Sequence, residues 1–141
     1  MVAASVVARM LGRNDRPPHG SDTELVGAVR DGLPIAALDR LVSDGVISEA
    51  EIEARFIPRR TLYARRQKGT LSSEQSDFLV RLARIQAFAD AIFGERAKSH
   101  GWLRDRNSVL GGERPLDLLD TEAGGRLVEA VLGRIAHGIV E

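Results

Sequence analysis

The feature that most limits what this chain can fold into is its punctuation. Ser21-Asp22-Thr23-Glu24 and Ser48-Glu49-Ala50-Glu51 both read S-x-x-E, the pattern in which a hydroxyl takes one free backbone N–H of a helix start and a glutamate takes another. Pro34 and Pro58 suit first helical positions, which have no use for the missing N–H; Gly45, Gly69 and Gly94 suit helix ends that need a left-handed residue. Signals so closely spaced leave room only for short helices, and they predict four, over 22–31, 34–44, 48–55 and 58–68. Beyond Gly69 the spacing opens. Phe78, Leu82, Ile85, Ala89 and Ile92 recur at three- and four-residue steps and predict the longest helix, over 72–93. A shorter helix follows over 95–103, then a loop through Arg106-Asn107-Ser108 and Gly111-Gly112. Pro115 to Leu119 makes one or two helical turns, and Asp120 or Thr121 caps a last helix running toward Val140. No segment alternates with period two over a strand's length, and aromatic residues are only 4%, so the predicted fold is all-α. Residues 1–20 read as an N-terminal helix and a linker, the linker marked by Asn14, Pro17, Pro18 and Gly20.

A chain of 141 residues has room for one domain or two small helical ones sharing a core. It has no cysteine, which excludes disulfides, zinc knuckles and thiol nucleophiles and fits a reducing cytoplasm. The three histidines, His19, His100 and His137, have no metal-ligand spacing, so no metal and no cofactor are expected. Met1 to Leu11 is apolar but lacks a basic run before it and is broken by Arg9, a poor signal peptide; no stretch approaches the length of a membrane span. The expected location is the cytoplasm. Lys+Arg 20 balances Asp+Glu 20, so any charged partner must be read from local patches.

Two patches stand out. From Arg55 to Lys68 the chain carries Arg55, Arg59, Arg60, Arg65, Arg66 and Lys68 with no acid between them. They lie on and before a helix opened by Pro58, itself preceded by a short helix and a tight turn at Phe56-Ile57. Two short helices with the second one basic is the helix-turn-helix plan, whose second helix enters the major groove of DNA; a solvated or partner-binding arginine face is the plainer alternative. The second patch is the terminal helix, with Gly124, Gly125, Gly133 and Gly138, each costing about 1 kcal/mol relative to alanine inside a helix. Its stripe of Leu127, Val131, Ile135 and Ile139, flanked by Val128 and Leu132, supplies burial, and Gly125 and Gly133 can admit another backbone. It reads as a core helix or as one that docks in a partner's cleft. His137 lies off that stripe and suits the helix C-terminus. Trp102 reads as a core anchor, His100 and His19 as surface residues, and Asp117 and Asp120 as caps. No convergent catalytic set is visible, so the chain is expected not to be an enzyme. Leu38, Leu41, Val42 and Ile52, on short helices, suggest apolar surface that a second subunit covers.

Two stretches carry a resemblance. Ile57-Pro58-Arg59-Arg60-Thr61-Leu62, continuing through Arg65-Arg66 and Gly69-Thr70-Leu71-Ser72, together with Asn107 to Gly112 and Pro115 through Gly124, resemble the Xre/MbcA/ParS antitoxin family; Leu132-Gly133-Arg134-Ile135-Ala136-His137-Gly138 matches as well. The likeness spans about Gly32 to the C-terminus. It implies a helix-turn-helix and dimerisation domain over 21–73 and a toxin-binding domain over 74–141. It implies a type II antitoxin whose partner is a RES-domain toxin that degrades NAD or transfers its ADP-ribose, with the complex repressing its own operon. The DNA-binding residues are then Arg59, Arg60, Thr61, Arg65, Arg66 and Lys68. The toxin-binding residues are Arg134, His137, Gly138, Ile139, Val140 and Glu141, the chain end occluding the toxin's NAD site. A homodimer within a toxin–antitoxin complex is expected. The rival reading is a stand-alone helix-turn-helix transcription regulator whose C-terminal part serves dimerisation.

Overall fold

The computed structural model describes residues 2–13 and 22–138. The Ser21 box, the linker over 14–20 with His19, and Ile139, Val140 and Glu141 lie outside the described residues. The described residues are all-α: α1 (Ala4–Met10), α2 (Asp22–Asp31), α3 (Ile35–Ser43), α4 (Glu49–Glu51), α5 (Arg59–Lys68), α6 (Ser73–Phe93), α7 (Arg96–Arg104) and α8 (Glu122–Ala136). A five-residue π turn, Ile52–Phe56, continues α4, and two 3-10 turns, Ser108–Leu110 and Pro115–Asp120, lie between α7 and α8. Among the described residues no helix is long and apolar enough to cross a membrane.

α6 is the spine. It packs against α1, α2 and α3 as well as α7 and α8, so its buried set is wider than the one stripe the sequence suggests. Phe78, Leu82, Ile85 and Ala89 are buried as expected, and Leu79, Ala83, Ser76, Arg81 and Gln86 join them. Its start is a full capping box: Ser72 Oγ accepts from Gln75 N–H, and the Gln75 side chain accepts from Ser72 N–H. Ser76 Oγ then accepts from Leu33 N–H at 2.7 Å, tying the α2–α3 junction to the spine. Gly32 completes that junction at φ +88°, where a Cβ would strike the Leu71 carbonyl, while Leu71 N–H donates to Leu33 O at 2.8 Å.

Pro34 and Pro58 sit one residue earlier than expected, as extended N-caps of α3 and α5. The helix expected over 48–55 departs further: three α-helical residues widen into the π turn, and Ile57 N–H closes on Ile52 O at 2.9 Å. The wider turn brings residues five apart onto one face, and Ile52 and Ile57, 0% and 2% exposed, both reach the core.

The terminal helix is rotated relative to the expected stripe. Val128, Val131 and Leu132 are buried, but Leu127 is 56% exposed. The glycines also trade roles. A Cβ at Gly124 would collide with the Leu118 carbonyl, and one at Gly125 would meet the Arg81 side chain at 2.6 Å, whereas Gly133 has nothing within 4 Å. Close approach therefore belongs to Gly124 and Gly125. Arg81, missed by the sequence reading, is 5% exposed and fills the space Gly125 leaves: its Nε donates to Leu119 O at 2.8 Å and its Nη1 to Asp77 at 2.9 Å.

Candidate functional site

α5 rests on the molecule through Leu62, its one buried side chain. The turn before it is fixed by Phe56 stacked on Phe78 of α6, centroids 4.3 Å apart. The start of the preceding helix is fixed by the Ser48–Glu51 box. A helix held by one residue beneath and by its ends leaves most of its surface outward. Arg59, Arg60, Thr61, Tyr63, Ala64, Gln67 and Lys68 are exposed, and Arg65 is half-buried.

The six cations divide. Arg66 Nη1 donates to Asp39 at 3.0 Å and its Nη2 reaches Glu49 at 3.4 Å, which bolts α5 to α3 and α4. Arg55 lies 3.4 Å from Asp117. Arg59, Arg60, Arg65 and Lys68 have no acidic partner among the described residues. Four unneutralised cations on one short helix, in a chain of zero formal charge, make a local positive field suited to a phosphate backbone. Tyr63 stands out from the same helix, 67% exposed. By helical period Arg60, Ala64 and Gln67 form the crest farthest from Leu62, with Tyr63 and Lys68 on its flanks. Arginine reads guanine, glutamine reads adenine, and apolar groups contact the thymine methyl, so that crest has base-reading chemistry. The signal for Gln67 was available: it shares a face with Arg60 at a seven-residue step.

A polar seam joins this half to α7 and the 3-10 turns. Arg104 grips Glu51 through Nε and Nη2 at 2.8 and 3.0 Å, and Nη2 also donates to Val46 O at 3.1 Å. Arg96 Nη1 donates to Asp44 O at 2.9 Å. Arg114 forms a fork on Asp117 at 3.0 and 2.8 Å. Asp117 is therefore an ion-pair hub where a cap was expected. Burial pushes the Glu51 carboxyl up, but hydrogen bonds from Arg104 and Ser48 and the Arg104 charge outweigh it and hold the pKa at about 2. The Arg114 hydrogen bond holds Asp117 below the usual range against burial. At Asp90 burial also opposes, and hydrogen bonds from Arg96, Ser99 and Gln86 bring the net shift down.

The linkage has one sign. Each carboxyl binds its proton less readily folded than unfolded, so each contributes stability that is complete above the unfolded value, near 4, and is lost as pH falls toward the folded one. For Glu51 that window runs from about 4.5 to about 2. Glu51→Gln is expected to lower thermal stability at neutral pH and to reduce its acid dependence across that window, as read by circular dichroism melts. An unchanged pH profile would remove Glu51 from the seam's energetics.

At the other end, Thr121 Oγ1 accepts from Gly124 N–H at 2.9 Å and caps α8. Its last turn ends on His137, the exposed C-cap, followed by Gly138 at φ +78°. Arg134 is half-buried. Of the expected toxin-binding set the structure places Arg134, His137 and Gly138 together at this helix end, and Ile139, Val140 and Glu141 lie outside the described residues. Trp102 is half-buried against Phe93, centroids 5.8 Å apart, and His100 is half-buried, neither a pure core nor a pure surface residue. Among the described residues no three acids or histidines gather to hold a metal ion.

Two family models match the chain consecutively. Residues 24–84 match the antitoxin Xre-like helix-turn-helix domain, and residues 88–138 match the antitoxin Xre/MbcA/ParS C-terminal toxin-binding domain. An antitoxin Xre from Pseudomonas putida is 36% identical over 132 residues, covering 93% of this chain and 82% of that protein. The chain belongs to the Xre antitoxin family. An antitoxin Xre from Yersinia enterocolitica is 32% identical, covering 93% of this chain and 90% of the relative. A protein named Prs ADP-ribosylating antitoxin from Sphingobium is 26% identical, covering 85% and 82%. In this Xre-family chain the helix-turn-helix match contains α5 with its free cations, and the toxin-binding match ends at Gly138, just past α8.

Proposed function

We propose that this chain is a non-enzymatic type II antitoxin with two separate working surfaces. One is the outward face of α5, which binds operator DNA and represses the antitoxin's own operon. The other is the end of α8 with the residues beyond it, which occludes the NAD site of a RES-domain toxin. The observation that carries the reading is the set of four cations on α5 without acidic partners, remote in sequence from a helix end matched as toxin-binding. The Sphingobium relative's name couples an antitoxin to ADP-ribosylation, which supports a toxin that consumes NAD.

On this reading Arg59, Arg60, Thr61, Arg65 and Lys68 meet DNA, while Arg66, held by Asp39 and Glu49, keeps α5 at its angle. Arg134, His137 and Gly138 meet the rim of the toxin site. Ile139 and Val140 bury in its wall, and the Glu141 carboxylate meets the groups that bind the NAD pyrophosphate. The stand-alone regulator, whose C-terminal part would serve dimerisation, does not account for the likeness of residues 88–138 to a toxin-binding domain. A homodimer suits a two-half-site operator, but not through Leu38, Leu41 and Ile52, each 0% exposed within a single chain, and Val42 is half-buried against the same core.

Deleting Gly138 to Glu141 tests the plug. The truncated chain is expected to keep its helix content and melting temperature, since terminal residues contribute little to the core. It should fail to stop NAD loss when mixed with the toxin encoded beside it. Protection equal to that of the full chain at matched concentration would instead place inhibition in an inactive assembly.

A further inference from the structure

We infer that α2 is a two-fold interface between copies of this chain, centred on Val26; this rests on the homodimer of the proposed function and names the surface that forms it. Val26 is 47% exposed, one of the few large apolar side chains left open, and sits at the middle of α2. It borders an apolar groove of about 360 Å³ between α1, α2 and α6, floored by Val7, Leu25, Val29 and Val80. Asp22 and Arg30 flank Val26 at four-residue steps, both exposed and neither ion-paired among the described residues.

That order is self-complementary. When two α2 helices pack antiparallel about an axis through Val26, residue 22 of each faces residue 30 of the other. Two opposite-charge contacts then form around a shared apolar centre, as an isologous interface requires. The self-pairing of Asp22 with Arg30 favours a second copy over an unrelated protein as the occupant.

Charge reversal tests this with the full chain by sedimentation velocity and light scattering. Asp22→Arg and Arg30→Asp each place like charges together at both ends of the interface, so each variant is expected to be monomeric where the wild type is dimeric. Mixing the two monomeric variants is expected to restore a dimer, since every contact in the mixed pair joins opposite charges. Damage to α2 alone would not be repaired by mixing, and circular dichroism of each variant checks its helix content. A wild type that is monomeric up to hundred-micromolar concentration overturns the homodimer itself. A dimeric wild type whose variants remain dimeric, or whose variants fail to pair on mixing, overturns this interface and leaves the homodimer standing.

Discussion

Gly124→Ala is expected to lower stability by about 3 kcal/mol and the melting temperature by about 10 °C. The added Cβ would lie on the Leu118 carbonyl, a backbone group at the end of the 3-10 turn that cannot swing aside. Alanine's better helix propensity returns only about 1 kcal/mol. Gly133→Ala, in the same helix, is expected to go the other way and stabilise by up to about 1 kcal/mol, because nothing lies within 4 Å of the new methyl. Thermal melts of the two variants beside the wild type check both signs. Equal shifts would mean that the α8 glycines act through helix propensity alone and that the close packing of α8 on Leu118 is not a constraint.

Removing the four free cations by Arg59→Ala, Arg60→Ala, Arg65→Ala and Lys68→Ala together is expected to weaken operator binding by about a hundredfold or more near 0.1 M salt. Each lost phosphate contact should also lower the salt slope by about one. Arg66→Ala should behave differently. It releases a pair of half-exposed ion contacts to Asp39 and Glu49, so its effect on stability is below about 1 kcal/mol, with little change in the salt slope. Anisotropy titrations of labelled operator at several salt concentrations separate the two. A fourfold variant with wild-type slope would make α5 a solvated face.

The contrast between Arg66 and its neighbours shows what the sequence could and could not convey. Caps, helix-ending glycines and the α6 stripe act over three or four residues, and those elements were legible. Asp39 and Glu49, which neutralise Arg66, stand 27 and 17 positions away, so a run of cations looked uniform in sequence. The same distance hid the Arg104–Glu51 seam, 53 residues apart, and the reason for Gly125, which is the buried Arg81 on α6. Leu127 misled for a related reason: periodicity gives the width of an apolar stripe but not the orientation of the helix, and Gly124 packed on Leu118 turns α8 so that Leu127 faces out. The π turn was illegible because its cause, burying Ile52 and Ile57 on one face, is a tertiary demand on a segment whose local signals are helical.

On the proposed function, DNA binding and toxin neutralisation occupy separate surfaces of one Xre-family chain and are separable by substitution. The most direct test is NAD consumption by the purified toxin in the presence of the fourfold cation variant, with wild type beside it. The prediction is that wild type and variant halt NAD loss at the same molar ratio, although the variant no longer holds the operator. A variant that lost NAD protection together with DNA binding, while keeping its helix content, would contradict the account and make α5 part of the toxin interface.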